Sequence, residues 1–266
     1  MTLQPIIPAG GIQGWRFLQQ TYDRQFSSFS KDPVLKRDAE YFAENIGAIQ
    51  SAEDLVSDRR LLRVALGAFG LEDDINNRYF VQKILSDGTS AEDALANRLA
   101  DERYKDFSDA FGFGPSSVPK TVNSTDMQNI VDRFREQSFE VAVGEQNNDM
   151  RLALNMQRSL KDLATGDMSE DAKWFTVMGN PPLRQVFETA LGLPSATGQL
   201  DIDQQLGIFK DRAVANFGSS TFAQFSTDAG IEDVTIRFLA RSQISQIGAS
   251  VSSASTALIL LQNSNF

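Results

Sequence analysis

The sequence predicts an all-α protein, a multi-helix bundle, and three observations carry that prediction. Apolar residues recur at steps of three and four, the period that lays one stripe along a helix. Helix starts and stops are punctuated in a recurring frame: Ser51-Ala52-Glu53-Asp54 closes on Ala68-Phe69-Gly70-Leu71, Ser90-Ala91-Glu92-Asp93 on Ala110-Phe111-Gly112-Phe113, and Ser169-Glu170-Asp171 on Ala190-Leu191-Gly192-Leu193. No segment alternates apolar and polar residues as a half-buried strand does.

Taken in order, residues 1–14 read as an irregular arm, because Pro5, Pro8, Gly10, Gly11 and Gly14 oppose a regular helix. Trp15, Leu18, Tyr22, Phe26 and Phe29 then lay the stripe of a first helix. Asp32-Pro33 is a cap with proline at the first helical position, where the missing N–H costs nothing. Its helix carries Leu35, Ala39, Phe42, Ile46 and Ile49 on one face.

The first frame follows as one helix, with Ser51 and Asp54 as a short-armed capping box and Leu55, Leu62, Ala65, Leu66 and Phe69 as the buried stripe. Gly70 suits the left-handed position that ends a helix, and Leu71 the contact of a Schellman motif. Ile75, Tyr79 and Ile84 mark a shorter helix before Gly88, and the second frame ends at Gly112 with Pro115 beyond it. Ser124 to Met127 opens a helix toward Gly144; Leu152, Met156, Leu160 and Leu163 mark another, ending at Gly166. Asn180-Pro181-Pro182 splits the third frame into two short helices. Asp201-Ile202 restarts the chain with Leu206, Phe209 and Ala213.

One internal echo spans these elements. Asp58, Leu61, Val64, Ala68, Gly70 and Leu71 match Asn180, Leu183, Val186, Ala190, Gly192 and Leu193 at identical spacing, and each set precedes an Asp-Ile helix start, at Asp74 and Asp201. Two readings are open: related helical halves from a duplication, or the ordinary likeness of capped helices. The expected organisation is an arm at 1–14, one helical half at 15–118, a second at 119–241 and a C-terminal helix at 242–266.

Composition removes several function classes. The 266 residues contain no His and no Cys, so Ser-His-Asp and Cys-His chemistry lack their imidazole. Zinc sites lose their usual N and S ligands, and no disulfide contributes to stability. The net charge of −10 is the reverse of the Lys and Arg surplus that displaces counterions from nucleic-acid phosphate. No apolar run approaches the ~20 residues of a membrane helix, and the first residues lack the basic and apolar regions of a cleaved secretory signal. A carboxylate or Lys enzyme is the third and weakest reading.

Local motifs yield no catalytic, cofactor or metal site. Gly10-Gly11-Ile12-Gln13-Gly14 has no preceding strand, so it is no dinucleotide fingerprint. Asp201, Asp203 and Gln205 have the cadence of a calcium loop, which then lacks its glycine and its closing Glu. Glu72-Asp73-Asp74 fits negative charge at a helix N-terminus. The candidate partner-binding residues lie in the tail: Ile244, Ile247, Val251, Ala254, Leu258 and Leu261 follow at alternating steps of three and four, with no charge after Arg241. That is an a/d seam, suited either to docking on its own domain or to assembly with partner helices.

Several blocks together resemble a bacterial family. They are Gly14 to Thr21, Tyr41 to Ile46, Asp58 to Leu62 with Ala65 to Leu71, and Ala96 to Tyr104 with Ala110 to Phe113. Gly144-Glu145, Arg151 to Leu154 and Ala190 to Pro194 complete the likeness. The chain is similar, from about Gly14 to about Phe238, to the family called domain of unknown function 1217, found in alphaproteobacteria and often encoded among flagellar genes. The resemblance implies a non-enzymatic structural or assembly component of the flagellum, exported without a cleaved signal, whose partners are flagellar proteins or copies of itself. It supplies no catalytic residues and no cofactor. The alternative it admits is a cytoplasmic helical adaptor or chaperone for flagellar export. One departure stands out: flagellar axial subunits usually begin with a long helix, whereas this chain begins with a Pro- and Gly-rich arm.

Overall fold

The computed structural model describes the backbone of residues 4–115 and 117–263, and the side chains of these up to residue 247. Among the described residues the chain forms thirteen α-helices, five short 3-10 segments and no strand. It divides into two compact units, one built mainly on residues 20–146 and the other mainly on 147–177 and 182–266. The first helix contributes residues to each. The division thus falls after Gln146 where the sequence suggests a boundary near 118, because the helix at Ser124–Gly144 packs on the helices of the first unit.

Helix α1 spans Gly11–Phe29, so it starts inside the glycine-rich arm rather than after it. In the first unit, α2 (Pro33–Asn45) is capped by Asp32, whose carboxylate accepts from the N–H groups of Val34 and Leu35 at 2.8 and 3.2 Å. The first frame forms two helices where one is expected: α3 (Ala52–Ser57) and α4 (Arg59–Gly67). Asp58 causes the break. Its extended backbone lets its carboxylate accept from Arg60 and Leu61 N–H at 2.9 and 3.1 Å, while the Tyr41 hydroxyl donates to the other oxygen at 2.7 Å. Two caps in eight residues outcompete one continuous helix, since a capped N-terminus is stabilised by about 1 kcal/mol.

Helix α5 (Arg78–Asp87) follows a 3-10 turn at Glu72–Asn76. Tyr79 lies outside its buried stripe, at 82% exposure; Val81, Ile84 and Leu85 form that stripe. The second frame does not open on a helix. Ser90 to Asp93 fold as bends and turns before the one-turn α6 (Leu95–Arg98), because the Asn97 side chain donates back to the carbonyls of Thr89 and Ala91, both at 2.8 Å. Helix α7 (Arg103–Phe111) ends at left-handed Gly112, as its sequence requires. Helix α8 (Ser124–Gly144), capped by Asn123, packs on α2 and α4. At the centre, Phe139 takes Tyr22, Phe26 and Phe29 edge-on at 5.4–5.6 Å.

The second unit is organised by α9 (Asn148–Thr165), against which residues 222–226 and the last helix pack. The third frame forms α10 (Glu170–Gly179) and α11 (Pro181–Leu191), divided at Asn180 as the prolines dictate. Helix α12 (Ile202–Phe217) starts on an Asp201 cap. Trp174, fully buried, meets Phe187, Phe209 and Phe222 edge-on with centroids 5.0–6.1 Å away, and its indole N–H donates to the Ser220 carbonyl at 2.9 Å. The last helix, α13, runs Asp228–Asn263 without a break. The expected separate helix at 242–266 is therefore the distal part of a 36-residue helix, about 54 Å long at 1.5 Å per residue.

Candidate interaction surface

Helix α13 has two faces with different chemistry. Its proximal part buries Ile231, Val234, Thr235, Phe238 and Leu239 against its own unit. Past Arg241, contact with that unit becomes polar. Asp149, in the first turn of α9, accepts from the Ser242 hydroxyl at 2.6 Å and the Gln246 amide at 2.9 Å. Gln243 lies against Gly11, where a Cβ would meet its Oε1 at 2.6 Å.

The apolar residues of this stretch point the other way. At about 100° per residue, Phe238 and Ser242 lie within about 20° of Ile231, whereas Ile244 and Ile247 lie roughly 160–220° around the helix from it. Accordingly Ile244 is 69% exposed and Ile247 56% exposed. The seam begins on the face opposite the one that docks α13. Val251, Ala254, Leu258 and Leu261 sit on described helical backbone, but their side chains lie outside the described residues.

A second apolar surface lies in the same unit. Leu193, Pro194, Ala196, Leu200 and Ile208 line an open cleft of about 400 Å³, with Asp211 and Arg212 also on its wall. Leu193 and Pro194 stand in sequence blocks noted above for other reasons, whereas Ala196, Leu200 and Ile208 belong to none; the one shared cue, for the first four, is that no charged residue stands between Glu188 and Asp201. The cleft opens one residue beyond Gly192, against whose α-carbon the Arg241 guanidinium is packed.

The most specific sequence blocks serve the fold. Gly70 has φ +67°, and the Leu71 N–H reaches the Leu66 carbonyl at 3.0 Å, closing a Schellman motif on α4. Arg103 donates to the Gly70 carbonyl at 2.5 Å while its guanidinium forks onto Asp101 at 2.7–3.1 Å. A cation at a helix C-terminus is favoured by the macrodipole. Beside it the Tyr104 hydroxyl donates to Asp74 at 2.5 Å, and burial, then this bond, raises the Tyr104 phenol above its usual value. On the second unit Gly192 repeats the geometry, with φ +66° and a 2.8 Å bond from Leu193 N–H to the Glu188 carbonyl.

No group of acidic residues among the described residues has metal-binding geometry, and the calcium-like cadence is otherwise engaged. Asp201 caps α12, and Gln205 accepts from Arg184 at 2.6 Å and donates to the Leu200 carbonyl at 2.7 Å. No helix among the described residues is long and apolar enough to cross a membrane.

Fold and surface together define an all-helical protein of two capped-helix units with an apolar seam starting on its last helix. A family profile described as "Protein of unknown function (DUF1217)" matches residues 68–231, more than half of the chain, and the chain belongs to that family. The fold is similar to an X-ray crystal structure of protein AGR_C_984 from Agrobacterium tumefaciens, with a TM-score of 0.72 and 24% sequence identity. That match covers 91% of this chain and 99% of the other. No curated protein matches the sequence.

Proposed function

We propose that the protein is a non-enzymatic structural or assembly component of the bacterial flagellum that packs through helical contacts made by residues 242–266. The observation that carries the packing is the two-faced last helix. Its polar residues hold Asp149 of its own unit, while Ile244 and Ile247 face the opposite side. Exposed apolar residues in register are stabilised when a partner helix covers them. The flagellar setting rests on the resemblance to alphaproteobacterial proteins encoded among flagellar genes.

A second reading is a cytoplasmic helical adaptor or chaperone for flagellar export, which takes a client on the same apolar face of α13 that leaves Ile244 and Ile247 exposed. A gene-deletion strain tests the shared flagellar claim. Loss of motility restored by the wild-type gene supports it, and wild-type motility contradicts it. Under the export reading, loss of motility comes with flagellar subunits retained inside the cell.

A further inference from the structure

Helix α13 leaves its unit past the ends of three other helices. Arg241 packs its guanidinium against Gly192, the residue after α11. Ser242 and Gln246 donate to Asp149, in the first turn of α9, at 2.6 and 2.9 Å. Gln243 lies against Gly11, the first residue of α1, in space that a Cβ would fill. All three ends belong to the second unit.

No apolar contact shares this task. Among the described side chains of α13, Leu239 is the last that is buried, and residues 243–247 are all exposed. At about 100° per residue, Arg241, Ser242, Gln246 and Gln243 span an arc of about 200° around the helix. Ile247 and Ile244 lie about 140° and 200° from Ser242, in the arc left open. The charges suit their places. A carboxylate at the N-terminus of α9 and a guanidinium at the C-terminus of α11 each complement the helix macrodipole.

We infer that these three helix ends form a collar that sets the direction in which residues 247–263 leave the unit, with Asp149 as its hydrogen-bonding pin. The inference goes beyond the assembly reading, because it holds whatever the distal helix meets. Direction matters through leverage. Residues 247–263 extend about 25 Å at 1.5 Å per residue, so a tilt of about 20° at the collar carries their far end about 9 Å. That is a full spacing between the axes of packed helices, about 8–10 Å.

Distances between spin labels in the full chain test it, since the sequence has no cysteine and labels attach only where one is introduced. Gln204→Cys on α12 with Thr256→Cys on α13 reads the direction of the distal helix against its unit. Asp233→Cys with Thr256→Cys reads the straightness of α13 itself. Labelled protein is diluted with unlabelled protein so that each distance lies within one chain. Arg241→Ala/Ser242→Ala/Gln246→Ala removes collar contacts from the α13 side, leaves the sequences of α1, α9 and α11 unaltered, and favours helix at each position. The first distance should be narrowly distributed in the wild type and broaden by several ångströms in the triple variant, while the second stays narrow in both. Asp149→Ala should broaden the first distance as well, whereas Asp149→Asn, which keeps an oxygen acceptor for Ser242 and Gln246, should not; if the two behave alike, Asp149 is not the pin. A triple variant as narrow as the wild type overturns the collar, and so does a wild type that is already broad. Equal broadening of the second distance also overturns it, because the helix then bends along its own length.

Discussion

Gly70 and Gly192 are the residues at which sequence and structure agree most closely. Each sits at a φ near +66° where side chains are strained, each closes a Schellman motif, and each has an arginine against it. A Cβ at Gly192 would lie 2.1 Å from the Arg241 guanidinium. Gly70→Val and Gly192→Val are each expected to destabilise by about 1 kcal/mol or more, read as a lower urea midpoint with an unchanged slope. An unchanged midpoint removes the cap assignment. Asp58 gives a pH-dependent counterpart. Burial pushes its carboxyl up, but the Tyr41 hydroxyl, the Leu61 and Arg60 N–H groups and the Arg60 charge together hold it below the usual range. A folded value below the unfolded value of about 3.9 contributes stability above that pH, lost as pH falls through the lower folded value. Asp58→Asn keeps the cap but removes the charge. Its stability is expected to fall less than the wild type's between neutral pH and about pH 3, as followed by urea unfolding; parallel losses would contradict this role. These positions were legible because caps are local chemistry. The arginines that cover them were not, since Arg103 and Arg241 stand far along the chain from Gly70 and Gly192.

At the scale of elements, the frame reported helix ends more faithfully than helix starts. All three closing glycines, Gly70, Gly112 and Gly192, have positive φ. Of the three openings, Ser51 caps by accepting from Asp54 N–H at 3.1 Å and Ser169 accepts from Ala172 N–H at 3.2 Å. Ser90 does not open a helix, because Asn97 holds residues 89–91 in a turn. The missed break at Asp58 has the same origin: a cap inside a periodic stripe leaves the stripe intact while the backbone turns out of it. In both units a short helix, a break and a Schellman-closed helix follow one another, and the internal echo fell on that pattern. The seam's spacing was legible, but its direction was not, because only the packing of Ile231 and Phe238 fixes which face of α13 is inward. Truncation of residues 247–266 keeps Ser242 and Gln246 on Asp149. That variant is expected to keep its thermal midpoint within a few degrees and to lose self-association. A collapse of the midpoint would place the distal helix in the core.

For the molecule as a whole, no disulfide is available, and aromatic side chains are buried together in two centres, around Phe139 and around Trp174. Its net charge is −10, and among the described residues the second unit carries an open cleft with an aliphatic wall beside Asp211 and Arg212, and the exposed Ile244 and Ile247. On the assembly reading proposed above, net negative charge suppresses random association and the uncharged residues after Arg241 make the contact. The direct measurement is fractionation of cells expressing tagged full-length protein beside the Ile244→Glu/Ile247→Glu double variant at equal abundance. The wild type should co-purify with sheared filaments or hook–basal bodies, and the double variant should be lost from that fraction while remaining folded. A wild-type protein found wholly in the cytosol, or a double variant retained with the flagellar fraction, would contradict assembly through the last helix.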